Sequence, residues 1–194
     1  MKTEQKFFGI EDSEFIRDKA PMTKEEIRVL SLAKMKLTNN SKVLDIGAGT
    51  GSVSIESALF AFNGRVTACE KNEKAVELIK QNCKKFGIEN LEIIKGTAPE
   101  CINSDEKYDA IFIGGSSGNM DSILELSKSL LKEKSRIVIN ATLIETFTSA
   151  LKELNEKGFK NIDYMQVQIN RSKKLGTGNS LEPVNPIFII WGEK

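Results

Sequence analysis

Val43-Leu44-Asp45-Ile46-Gly47-Ala48-Gly49-Thr50-Gly51-Ser52 decides the fold. A short apolar run ends in three alternating glycines, and apolar residues at helical spacing follow at once over residues 52–62. Glycines at such a junction let the backbone turn tightly and approach a ligand with no Cβ in the way. The spacing is G-x-G-x-G, and Ser52 stands where a G-x-G-x-x-G dinucleotide loop places its third glycine. The unit therefore reads as strand, glycine loop and helix of an α/β protein, with a ligand other than a dinucleotide in view.

Outward from the loop, strand-like stretches at 42–46, 65–69, 91–94, 108–113 and 136–140 alternate with helical ones at 52–62, 72–86, 120–131 and 143–157. Asn72 is a favourable N-cap for the second of these helices and Gly87 a favourable stop. Alternating β and α elements imply a parallel sheet with helices on both faces. The end of the chain differs. Residues 161–169 and 186–191 read as strands with no helix between them, which makes them antiparallel. The expected fold is α/β, a Rossmann-like class I methyltransferase architecture. Its sheet is mainly parallel and seven-stranded, with an antiparallel C-terminal strand. One domain spans 1–194, with a covering segment over 1–37 and the core over 38–194. A helix at 24–35 is opened by Thr23 with Glu26 three residues on, the pattern of a capping box. The joint at 170–185 is long for a hairpin, which points to a functional or interface role.

Composition narrows the chemistry. The 194 residues are 40% apolar and 28% charged, ordinary for one folded domain. A net charge of +1 lacks the basic excess of proteins that neutralise nucleic-acid phosphates, so no nucleic-acid partner is expected. Three cysteines without C-x-x-C spacing argue against a disulfide framework or a metal site and for a cytoplasmic setting. The absence of histidine excludes Ser-His-Asp and Cys-His catalysis. No apolar run approaches the roughly 20 residues that cross a bilayer, so no membrane partner is expected.

Asp45 stands two residues before Gly47. A carboxylate there repels a pyrophosphate but suits a ligand carrying an ammonium and a sulfonium, as S-adenosylmethionine does; a turn or cap acid is the alternative. Glu70 follows the second strand, placed to accept ribose hydroxyls. Gly96, Thr97 and Ala98 at the third strand's exit leave room for an adenine edge, and also read as a plain turn. With Gly47, Ala48, Gly49, Thr50 and Gly51, these form the candidate cofactor site. The fourth strand's exit, Ile113-Gly114-Gly115-Ser116-Ser117-Gly118, falls beside the glycine loop at the sheet's switch point. It carries no N-P-P-Y or D-P-P-Y sequence of the kind that amino-methylating nucleic-acid enzymes use.

Further segments narrow the family. Gly9-Ile10, Glu14-Phe15, Pro21-Met22-Thr23-Lys24-Glu25-Glu26, the glycine loop through Ser54, Ala98-Pro99-Glu100, Ile113-Gly114-Gly115-Ser116 and Asn185-Pro186-Ile187-Phe188-Ile189 together resemble one group. It is the decarboxylating C15-methyltransferases of precorrin-6B and cobalt-precorrin-6B in cobalamin biosynthesis. The resemblance implies S-adenosyl-L-methionine contacts from Thr23, the Gly47–Gly51 loop, Glu70 and Ala98, a stand-alone module without the C5-methylating domain, and a homotetramer. It also implies a flat tetrapyrrole substrate rich in carboxylates. Cations to meet these are Arg17, Lys19, Lys24 and Arg28, and Lys173, Lys174 and above all Arg171, whose guanidinium pairs bidentately with carboxylate. Gly114, Gly115 and Ser116 would lie against the substrate, and Phe7, Phe8 and Phe15 could cover it or pack the core. A reduced tetrapyrrole attacks through its own enamine carbon, so positioning supplies much of the rate and no strong base is needed. No catalytic acid or base is assigned. Glu145, Ser116 and Asn140 fall near strand exits. An RNA or other small-molecule methyltransferase, or a non-enzymatic nucleotide-binding module, would share the cofactor half.

Overall fold

A computed structural model of the chain describes residues 9–18 and 20–194. Phe7, Phe8 and Lys19 lie outside the described residues. Seven strands form one sheet in the order β3-β2-β1-β4-β5-β9-β6. They are β1 (Lys42–Ile46), β2 (Arg65–Glu70), β3 (Leu91–Lys95), β4 (Tyr108–Ile113), β5 (Leu131–Ala141), β6 (Lys160–Val167) and β9 (Ile187–Glu193). All neighbours are parallel except β9, which runs antiparallel between β5 and β6.

Side-chain alternation along the strands sorts the core into two layers. Val43, Ala110, Phe112, Val138 and Trp191 pack with α1 (Glu25–Met35) and α2 (Ser52–Phe60). Leu44, Ile46, Ile111, Ile113, Ile137 and Ile139 pack with α4 (Met120–Leu130) and α5 (Ile144–Glu156). The helix α3 (Glu73–Phe86) begins where Asn72 Oδ1 accepts the N–H groups of Lys74 and Ala75, and it ends at left-handed Gly87.

Two local expectations are corrected, and a third segment gains detail. The capping box does not form: α1 starts at Glu25 with no side-chain cap from Lys24, and Asp12 Oδ1 accepts the Glu25 N–H at 3.0 Å. The N-terminal segment thus satisfies the helix's free donor from outside. The strand β5 begins at Leu131, five residues before the expected start, because Lys132, Glu133 and Lys134 hide it with charge and Lys134 turns at φ +62°. The joint at 170–185 is itself a ribbon of β7 (Asn170–Leu175) and β8 (Gly178–Pro183), every residue of which is exposed.

Arg28 is also corrected. It faces no substrate: its side chain is fully buried, with Nε 2.5 Å from Glu56 Oε1 and Nη1 2.6 Å from the Thr23 carbonyl. Nη2 donates to the Ile10 carbonyl, and the guanidinium lies over the Phe15 ring, 4.7 Å from its centroid. Glu56 in turn accepts the N–H groups of Gly9 and Ile10. Burial pushes the Glu56 carboxyl above its usual range, while the guanidinium and the two N–H groups pull it back down. Asn82 ties the same segment to α3, accepting from Ile16 N–H at 2.7 Å and donating to the carbonyls of Ile16 and Thr50. The segment is thereby fixed across the carboxyl ends of the strands.

Candidate functional site

Register places the site. Ile46 pairs with Cys69 on one side and Ile113 on the other, so the exits of β1, β2 and β4 share one rim. A cavity of about 670 Å³ opens there under the N-terminal segment, within the usual range for cofactor and ligand sites. Gly47, Ala48, Gly49, Glu70, Gly96, Thr97, Ala98, Gly114, Gly115 and Ser116 line it, with Thr23, Lys24 and Arg171 around them.

Glycine is obligatory at two loop positions. At Gly47 (φ +74°) a Cβ would stand 2.6 Å from the Gly115 carbonyl oxygen. At Gly49 (φ +58°) it would stand 2.7 Å from the Pro21 carbonyl oxygen. The loop is therefore clasped between the exit of β4 and the N-terminal segment. Glu70 braces it from the next strand: Oε2 accepts the Gly49 N–H at 2.9 Å and Oε1 accepts the Asn72 N–H at 2.8 Å. A carboxylate offers about four acceptor sites, so this orientation leaves lone pairs for hydroxyls from the cavity.

Asp45, Thr50 and Gly51 do not line the cavity. Asp45 is 1% exposed beneath the loop, where Oδ2 accepts from the Ser54 hydroxyl and Oδ1 has no partner among the described residues. Burial pushes its carboxyl up to about 7; the Ser54 hydrogen bond pulls it down and the Glu70 charge pushes it further up. The expectation of a carboxylate on the ligand-facing wall is corrected accordingly: strand alternation points this side chain beneath the loop. Arg17 is exposed and outside the cavity, as is Glu145.

Several lining residues were not singled out as ligand contacts. Lys71, Asn72 and Lys74 adjoin Glu70, and Ile27, Ile169, Val184 and Ile187 supply an apolar wall. The antiparallel insertion of β9 brings Asn185 and Ile187 to this rim, which no local pattern announces. Arg171 Nη2 pairs with Glu26 Oε2 at 2.7 Å, so the ribbon reaches α1 at the cavity's edge. Asn140, at the end of β5, lines the wall with its amide against Ser31 Oγ. Cys69 also lines it, with Sγ 2.6 Å from Cys101 Sγ, and burial pushes the Cys69 thiol up. Among the described residues no cluster of acids and cysteines could hold a metal ion, and no helix is long and apolar enough to cross a membrane.

A precorrin methyltransferase domain family matches residues 13–194. A probable cobalt-precorrin-6B C(15)-methyltransferase (decarboxylating) of Sulfurisphaera tokodaii is 49% identical over 189 residues, 96% of this chain and 97% of that protein. The cobalt-precorrin-6B C(15)-methyltransferase (decarboxylating) of Salmonella typhimurium is 39% identical, over 95% of this chain and 96% of its own. The crystal structure of precorrin-6y C5,15-methyltransferase from Geobacter metallireducens superposes with a TM-score of 0.92 at 34% identity, covering 99% of this chain and all of that one.

Proposed function

The chain belongs to the precorrin methyltransferase family and has the class I methyltransferase fold, and from that premise we propose that it methylates C15 of a cobalt-precorrin-6B and removes carbon dioxide from the acetate at C12. The carrying observation is a single cavity with two unlike parts. One part is built from the glycine loop and Glu70, the other from apolar side chains with Lys24 and Arg171 beside them.

The first part fits S-adenosylmethionine. Glu70, already oriented by two backbone donors, accepts the ribose hydroxyls. Gly96, Thr97 and buried Ala98 form the adenine edge, and Gly47 to Gly49 with Thr23 face the amino-acid end. Thr50 and Gly51 shape the loop from below. Asp45 acts through the loop as a buried charge. Bound there, the cofactor supplies an electrophilic methyl group. The rest of the chain holds the acceptor carbon in line with it and keeps water out, and in-line positioning accounts for much of the acceleration.

The tetrapyrrole rests on the wall of Ile27, Ile169, Val184 and Ile187, and its peripheral carboxylates meet Lys24 and Arg171. Arg171 exchanges Glu26 for substrate. Both partners are about half exposed, so the exchange costs little. Arg17 stays outside the cavity as a peripheral contact. Gly114, Gly115 and Ser116 lie between the two ligands.

The whole chain acts as one methyltransferase domain with the segment to residue 37 as its cover, working in the cytoplasm as a homotetramer. The exposed ribbon, with Leu175 and Leu181 each about 70% exposed, provides a subunit contact. A net charge of +1 gives an RNA backbone little hold. Incubation with S-adenosylmethionine and cobalt-precorrin-6B tests the reading. The expected product has gained one methyl and lost one carbon dioxide by mass spectrometry. An unchanged substrate, with cofactor bound, refutes it.

A further inference from the structure

We propose that Asn140 is the positioning donor for the carboxylate that leaves as carbon dioxide, an inference that rests on the function proposed above. Asn140, the penultimate residue of β5, lies on the cavity wall next to the exit of β4 that carries Ser116. Its amide is held by α1. The Ser31 hydroxyl stands 2.7 Å from the Ile27 carbonyl, 3.0 Å from Asn140 Nδ2 and 3.1 Å from Asn140 Oδ1. A hydroxyl has one proton, and the shorter contact to the carbonyl takes it. Ser31 Oγ therefore accepts from Nδ2, which fixes the amide and leaves its second N–H for the cavity. Ser31 is fully buried, so the anchor is rigid.

The surroundings suit a carboxylate that must lose its charge. Ser116, Thr142 and Asn185 on this wall are neutral. The wall's cations have other roles: Lys24 and Arg171 meet the peripheral carboxylates, and Lys71 and Lys74 flank Asn72 beside Glu70. In the decarboxylation the bond from the acetate methylene to the carboxylate carbon breaks. Its electron pair is delocalised into the conjugated macrocycle as carbon dioxide leaves neutral, and the pair returns to the methylene carbon as it takes a proton from water, giving methyl and hydroxide. Charge thus moves away from the carboxylate as the step proceeds. A cation at that point would favour the starting state over the transition state. A neutral donor instead sets the carboxylate's direction without holding its charge in place.

The test compares the full chain with Asn140→Ala, Asn140→Asp and Ser31→Ala, each given cobalt-precorrin-6B and S-adenosylmethionine, with products resolved by mass. Asn140→Ala is expected to slow carbon dioxide loss about tenfold or more, the scale of a lost buried hydrogen bond, while methylation stays within about threefold. Methylated product that retains its acetate then accumulates. Asn140→Asp, which adds a like charge, loses more of the same step, and Ser31→Ala loses part of it. Cofactor affinity and melting temperature serve as folding controls; if Asn140→Ala does not fold, Ser31→Ala decides. Both steps falling together, or neither falling, overturns the assignment while the proposed function stands. A wild-type chain that binds cofactor and leaves the substrate unmethylated overturns the function itself, and this assignment with it.

Discussion

Glu70 Oε2 accepts the backbone N–H of Gly49 at 2.9 Å, so the acid at the end of β2 holds the glycine loop of β1 in shape before any ligand arrives. Its other oxygen holds Asn72 at the head of α3. One carboxylate thus fixes the loop, the start of a helix and its own direction into the cavity. Glu70→Gln replaces one acceptor oxygen by an amide NH2, which donates and cannot accept the second backbone N–H. Affinity for S-adenosylmethionine should fall roughly 10- to 100-fold, the scale of one or two hydrogen bonds to a charged group. Adenosine, which keeps the ribose, should lose a similar factor by calorimetry. A loss confined to S-adenosylmethionine would place the ribose elsewhere.

Asp45 is expected to make cofactor binding depend on pH. In the folded chain its carboxyl is pushed up to about 7 from an ordinary 3.8. The folded state therefore binds more protons than the unfolded one between these values, and this group's contribution to stability falls as pH rises through that window. A cationic ligand above the loop favours the ionised form. Affinity for S-adenosylmethionine should accordingly rise several-fold from about pH 6 to about pH 8, with proton release on binding. The substitution Asp45→Asn should flatten both trends, and should weaken S-adenosylmethionine more than adenosine. A pH profile that survives this substitution unchanged would show that the acid stays in one protonation state throughout.

Gly47→Ala tests the clasp on the loop. The new Cβ would stand 2.6 Å from a backbone oxygen of Gly115 at a φ of +74°. Backbone atoms yield little, so either the loop or the exit of β4 must move. The strained backbone alone costs about 1–3 kcal/mol. The variant should melt several degrees lower and lose measurable cofactor binding. Gly115→Ala meets nothing within 4 Å at its Cβ and should melt close to wild type.

The loop, the two-layer core and Glu70 were legible because each is written locally, in glycine spacing, apolar runs and the end of a strand. Even the antiparallel finish was readable, since residues 161–169 and 186–191 lack a helix between them. The ribbon β7–β8 was not, because it buries nothing and so shows no apolar alternation. Asp45 was found by its position but misplaced by one layer. Sequence spacing identifies the acid before the glycines, whereas the pleat decides which side of the loop it takes. Arg28 looked like any surface cation, since its partners Ile10, Thr23 and Glu56 lie 18, 5 and 28 positions away.

That last pair carries the most severe stability prediction. Arg28 and Glu56 are both wholly buried, and the arginine also holds the carbonyls of Ile10 and Thr23. Removing one member leaves the other charge without its partner, which costs about 3–5 kcal/mol in buried pairs. Arg28→Met should therefore unfold at much lower denaturant and should loosen residues 9–23, exposing them to protease. Glu56→Gln keeps the shape and an acceptor for Arg28, whose guanidinium still has the Asp12 carboxylate 3.3 Å from Nη1, so it should fall between Arg28→Met and wild type. Because Thr23 sits on the cavity wall and its carbonyl is bonded to Arg28, cofactor affinity should fall along with stability. Saturating S-adenosylmethionine should then recover part of the lost melting temperature, since the ligand binds only the folded form. Equal melting of Arg28→Met and wild type would mean that Asn82, Glu56 and Asp12 hold the N-terminal segment without Arg28.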